Sequence, residues 1–164
     1  MMSLEQYAYL AEIVGAIAVV ASLLYLAVQI HQSNLQGQAS ARYAFIQAMS
    51  DINMPIAQDK AVASVWRRGL ESADGLDKDE RIQFWMLVGQ YGNAWSVMYQ
   101  LYRDGMLPEI QWTVVRKDML GILSSEGGRS FWKRFGAGAF DPEFVAYVDS
   151  LLSSGEKSYD MLAE

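Results

Sequence analysis

IVGAIAVVASLLYLAVQI, residues 13–30, is an eighteen-residue run without a charged side chain, and its length governs how the rest of the chain is read. An α-helix rises about 1.5 Å per residue and the hydrocarbon core of a bilayer is about 30 Å thick, so the run just suffices to cross. Leu10 and Ala11 extend it, with Glu12 as the only interruption. The same composition suits the wholly buried central helix of a soluble ligand-binding bundle, which is also apolar on every side. Hydropathy favours the span. A cleaved signal peptide fits poorly, because the preceding MMSLEQ carries Glu5 and no Lys or Arg, and the run is long for a signal's apolar region.

Lys and Arg are retained on the cytoplasmic side of a membrane. All thirteen of them follow Ile30, beginning with Arg42, which predicts an outer N-terminus and a cytoplasmic C-terminal part. Helix has no reason to stop at Ile30. Only Gly37 opposes it before Asn53, at about 1 kcal/mol relative to alanine, and Met54-Pro55 predicts the end, since a residue before proline is pushed out of the α region. The expected organisation is a long helix over 1–53, spanning a membrane at about 13–30, and a helical domain over 54–164.

Within that first helix, residues spaced alternately by four and three form an unbroken heptad seam: Leu4, Ala8, Ala11, Gly15, Ala18, Ser22, Tyr25, Gln29, Gln32, Gln36, Ala39, Tyr43 and Ile46. Inside the apolar run its members are small or polar, while Ile13, Ile17, Val20, Leu23, Leu24, Val28 and Ile30 lie elsewhere. Lipid gives apolar side chains no reason to hide, so membrane helices associate through close backbone approach and interhelical hydrogen bonds. Ala11-x-x-x-Gly15 and Ala18-x-x-x-Ser22 are small-xxx-small pairs of that kind. The seam over Ala11, Gly15, Ala18, Ser22, Tyr25, Gln29, Gln32 and Gln36 is therefore read as a left-handed homo-oligomeric contact. Copies arranged around an axis would make the same residues line a channel, the rival reading. The plainest alternative is that glutamines occur where a helix leaves the membrane because that region is wet.

The remaining composition excludes more than it assigns. Beyond the apolar run, thirteen basic residues face seventeen acidic ones, a poor surface for tracking phosphates, so nucleic acid is not an expected partner. There is no cysteine and one histidine, His31, so thiol chemistry is absent and neither a metal site nor a Ser-His-Asp triad with a second base can be assembled from histidines. No nucleotide-binding glycine loop occurs. No enzyme activity, cofactor or metal is expected. Glu12 and His31 bracket the run and read as interface residues.

The rest reads as helices. Asp59 caps a helix over 60–71; Asp77 with Glu80 forms a capping-box start for a helix to Arg103, stopped by Asp104-Gly105. Pro108 and Glu109 suit the first turn of a helix ending near Leu123. Ser124-Ser125 caps a short one reaching Phe135, and 136–140 reads as a loop. Asp141-Pro142-Glu143 opens a last helix to about Leu152, with a continuation towards Met161. The fold class is all-α, a long N-terminal helix followed by a small helical bundle.

Leu87, Tyr91, Trp95, Met98 and Tyr102 keep to one helical face. Such a stripe is first of all a core; were an apolar pocket present, Tyr91 and Trp95 facing Trp112, Phe131 and Trp132 would form it. Arg67-Arg68 and Lys133-Arg134 read as solvated pairs before they read as headgroup contacts. Asp77, Asp79 and Glu80 read as caps before a metal cluster. Ser125-Glu126-Gly127-Gly128-Arg129 reads equally as a turn or as an anion nest.

The segments EIVGAIAVV (12–20), LYLAVQI followed by Gln32-Ser33-Asn34, GGRSFW (127–132) and DPEF (141–144) resemble a family of uncharacterised bacterial single-span membrane proteins over most of the chain. The resemblance implies a bacterial inner-membrane protein with one span and a helical cytoplasmic part. It implies no activity, and it carries over no catalytic residue. Relatives tend to carry an arginine after the span, where this chain has His31. The sequence thus leads to a membrane-anchored, self-associating helical protein acting as a binding, scaffold or sensory module, with itself and the lipid bilayer as partners.

Overall fold

In a computed structural model that describes residues 3–156, six α-helices and one 3-10 turn follow one another with no strand among the described residues. The chain divides into two compact units, Met1–Ser40 and Ala41–Glu164. The helix α1 runs over Leu4–Gln58 and contributes to both.

In the first unit, α1 exposes every described side chain except Gln38, which is half-buried. Two polar seam residues are satisfied within the helix itself: Ser22 Oγ donates to the Ala18 carbonyl at 2.8 Å, and Gln29 Nε2 donates to Tyr25 Oη at 2.8 Å. A hydroxyl bonded to the carbonyl four residues back leaves no donor bare to an apolar surrounding.

The helical unit takes in the last turns of α1 from Ala41, well before the 53/54 boundary expected from the sequence. The helix also does not end before Met54-Pro55 but continues to Gln58 with Pro55 inside it. Proline removes one backbone donor and costs about 3 kcal/mol in a helix interior. That cost is offset by packing: Ile52 is buried, Ile56 packs against the core, and Asn53 Oδ1 accepts a hydrogen bond from the Tyr91 hydroxyl. Burying an isoleucine contributes about 1.5–3 kcal/mol.

The shorter helices begin where their caps place them. Asp59 Oδ1 accepts from Ala61 N at 2.7 Å to start α2, Lys60–Glu71. After a 3-10 turn at Ala73–Gly75, Asp77 Oδ1 accepts from Asp79 N and Glu80 N, each at 2.9 Å, while Glu80 Oε2 accepts from Asp77 N at 3.3 Å. This reciprocal box opens α3, Lys78–Arg103, which ends at Gly105 with φ +70°. Pro108 precedes α4, Glu109–Leu123, and Ser125 Oγ accepts from Gly128 N at 3.0 Å to open α5, Glu126–Ala139. Asp141 caps α6, Pro142–Ser153, through Glu143 N at 2.9 Å. Gly155, at φ +70°, breaks the helical path there; Met161 lies outside the described residues.

Of the stretch read as a loop, 136–140, the first four residues are instead the last turn of α5, which spans Glu126–Ala139, and Phe140 follows it in extended conformation. Gly136 is buried there, and Phe135 and Phe140 on either side of it pack onto the core. Aromatic burial outweighs the poor intrinsic helix propensity of two glycines, about 1 kcal/mol each.

Helix α3 is the centre, touched by α2, α4 and α5. Phe84, Val88 and Trp95 on it are fully buried, as are Ile122, Phe144 and Val148. The joint between α2 and α5 is backbone on backbone: a Cβ on Gly127 would lie 1.8 Å from the Gly69 carbonyl oxygen, and one on Gly69 would meet the Phe84 ring at 2.3 Å.

Arg68 holds Glu80 with two bonds, Nη2 to Oε1 at 2.5 Å and Nη1 to Oε2 at 3.1 Å. The Arg68 hydrogen bond, helped by the Asp77 amide, keeps the Glu80 carboxyl below the usual carboxylate range, against a smaller opposing effect of desolvation. A carboxyl depressed by folding contributes stability above its unfolded pKa and loses it as pH falls through the folded value. Glu80→Gln is therefore expected to lose less stability than the parent between about pH 5 and about pH 3, read as the acid dependence of the urea midpoint. Equal acid sensitivity in both proteins would refute this role for Glu80.

Candidate functional site

Two features of the molecule are candidates for function, the apolar segment of α1 and the grooves of the helical unit. One helix is long and apolar enough to cross a membrane, with an eighteen-residue window of mean hydropathy 2.4 of which 0% is buried. Ile17, Val20, Leu23 and Leu24 are each more than half exposed. The seam members Ala11, Gly15, Ala18, Ser22, Tyr25, Gln29, Gln32 and Gln36 are all exposed along this helix. Gln29, Gln32 and Gln36 border a shallow hollow with Leu26, Ile30 and Ser33. Glu12 and His31 are exposed at either end of the run.

The five residues named for an apolar pocket lie in the core. Tyr91, Trp95, Trp112, Phe131 and Trp132 are all buried, and their polar atoms are used structurally. Trp95 Nε1 donates to Asp118 at 2.9 Å, Trp132 Nε1 donates to Asp149 at 2.8 Å, and the Tyr91 hydroxyl donates to Asn53. Burial, aided by the Asp118 charge, pushes the Tyr91 phenol up to about 12, so it stays protonated and a donor at neutral pH. Phe131 also borders a hollow on the surface of α3.

Open space borders α3 beside its aromatic stripe, with Met98 common to both. A groove of about 660 Å³ runs between α1 and α3; Ala41, Ala44, Phe45, Val97 and Leu101 are among its walls, with Asp51, Gln90 and Asn93 as its polar members. A smaller hollow of about 310 Å³ lies between α3 and α5, bordered by Ile82, Trp85, Met86 and Phe135, and it shares Gln90 and Asn93 with the groove. The sequence did carry one signal for this face: from Ile82 to Tyr102 α3 contains no charged residue, unusual for a helix with one side in water.

The remaining polar constellations are structural. Arg67 pairs with Glu71 at 2.7 Å, Arg68 with Glu80, and the Arg134 guanidinium lies 5.1 Å from the centre of the Trp85 ring. Asp77 and Glu80 are consumed in capping α3. A Cβ on either glycine of Ser125-Glu126-Gly127-Gly128-Arg129 would collide with the Gly69 or Ile122 carbonyl, and the Gly128 amide is used in capping by Ser125 Oγ. Among the described residues no group of three or more His, Cys, Asp or Glu is placed to hold a metal.

No protein-family model matches the chain, and neither a curated protein nor a solved structure matches it.

Proposed function

We propose that this is a membrane-anchored helical protein whose first helix crosses a bilayer once and associates with copies of itself, and whose helical unit serves as a binding module on the inner side of a bacterial membrane. The observation that carries this reading is the complete exposure of the apolar window of α1. A core helix of a soluble bundle has its apolar side chains covered, whereas exposed Val, Ile and Leu side chains each forgo about 1.5–3 kcal/mol that burial supplies. Lipid removes that cost. The in-helix bonds of Ser22 and Gln29 also suit a medium without water.

Self-association rests on the seam. Gly15 offers its test, because a Cβ there meets nothing within 4 Å in its own chain. Gly15→Leu is thus expected to leave a monomer unchanged and to abolish close helix approach between copies. The measurement is oligomeric mass in mild detergent, with the parent as an oligomer and Gly15→Leu shifted towards monomer. A parent already monomeric, or a variant of unchanged mass, defeats the seam. Anchoring is read separately, by recovery of the full chain in the membrane pellet after an alkaline wash; recovery in the supernatant defeats it.

A further inference from the structure

We infer that the groove between the 41–52 stretch of α1 and the 90–101 stretch of α3 binds a single-chain amphiphile with a cationic, hydrogen-bond-donating head group. Its volume, about 660 Å³, falls in the range of about 300–1,000 Å³ that suits small-molecule sites. The α1 wall combines Ala41, Ala44 and Ala48 with Phe45, Asp51 and Ile52, and the three alanines leave part of its length without a long side chain.

The groove has a polar end and an apolar end. The bond between the Tyr91 hydroxyl and Asn53 sets residue 53 of α1 beside residue 91 of α3. From there the walls extend back to Ala41 on one helix and on to Leu101 on the other, so the two stretches run antiparallel. Asp51, Gln90 and Asn93 therefore gather at one end, with Ala41, Val97 and Leu101 towards the other. That division matches a head group and a tail.

Charge selects the head. The lining residues include one carboxylate, two amides and no Lys or Arg. Asp51 Oδ1 accepts from Gln47 Nε2 at 2.8 Å, which leaves the second oxygen to an incoming donor, and the amide oxygens of Gln90 and Asn93 can accept as well. An anionic head would meet repulsion from Asp51 within a chain of net charge −6. A peptide with acidic side chains is a poor occupant too, because no Lys or Arg lines the groove. The tail needs only apolar wall, which the groove supplies.

The test uses the full chain in phosphatidylcholine vesicles, irradiated with dodecylammonium or dodecyl sulfate carrying a photoreactive diazirine on the chain, with labelled peptides located by mass spectrometry. The ammonium probe is expected to label 41–52 and 90–101 several-fold more than the sulfate probe. Ala44→Trp and Val97→Trp, on opposite walls at exposed positions, should each suppress that labelling while melting curves stay cooperative. Asp51→Asn should cut the preference for ammonium about three- to fivefold, the scale of an exposed ion pair. Equal labelling by both probes, or labelling that survives both tryptophans, overturns the proposal. So does an unlabelled groove whose filling by Val97→Trp changes the oligomeric mass, which would assign it to a second copy. Label on 13–30 reports bilayer contact separately, so failure of the anchor and failure of the groove are distinguished.

Discussion

Gly127→Ala is expected to destabilise the helical unit by roughly 3 kcal/mol and to lower its thermal midpoint by about 10 °C. The methyl group would sit 1.8 Å from the Gly69 carbonyl oxygen and 3.1 Å from Phe84 Cε1. The first obstacle is backbone of α2, which cannot swing away as the tip of a long side chain would. Relief requires α5 to lift from α2, and that opens the joint where Phe84 is fully buried. Gly138→Ala is the counterpart: its Cβ meets nothing within 4 Å near the end of the same helix. Removing a glycine's excess freedom from a helix there should stabilise by about 0.5–1 kcal/mol. Circular dichroism on both variants decides the matter, and midpoints moving in the same direction would refute the joint.

The contrast between those two glycines shows where sequence reading stops. Asp59, Asp77 with Glu80, Ser125 and Asp141 announce their helices because a cap acts over three residues, all of them visible in the local sequence. Pro55 and Gly136 mislead for the complementary reason. Both carry a local penalty that is outweighed by residues far along the chain: Ile52 and Ile56 join the core and Asn53 accepts from the Tyr91 hydroxyl of α3, while Phe135 and Phe140 pack against the buried core. The aromatic stripe of α3 was identifiable as a buried face from its period alone. The groove was not, since its volume depends on how far Ala44 stands from Val97, and no pattern along one helix encodes the distance to another. The charge-free length of α3 was the trace that the sequence left of it.

Charge placed in the apolar run separates the two roles open to that helix. A buried core helix loses stability when charged, because its neighbours lose their partner and a charge is stranded without water. A span loses its membrane instead. Val20 and Leu24 are 56% and 64% exposed and four residues apart near the middle of the run, so replacing both touches no packing in either unit.

Val20→Lys with Leu24→Lys is accordingly expected to move the full chain from the membrane pellet to the supernatant. Each lysine at the centre of a spanning helix costs about 2.5–3.5 kcal/mol on the insertion scale, so the pair costs about 5–7 kcal/mol. A run whose length only just covers about 30 Å of hydrocarbon has little excess hydropathy to absorb that, and neither lysine can snorkel from the centre to both surfaces at once. The melting transition of the helical unit should stay where it is, because no side chain of 13–30 belongs to its core. Two readings of one protein preparation therefore discriminate the roles of the helix: release with an unchanged transition marks a span, while a lowered transition with unchanged partitioning would mean that 13–30 is covered by protein and that the anchoring proposal is wrong.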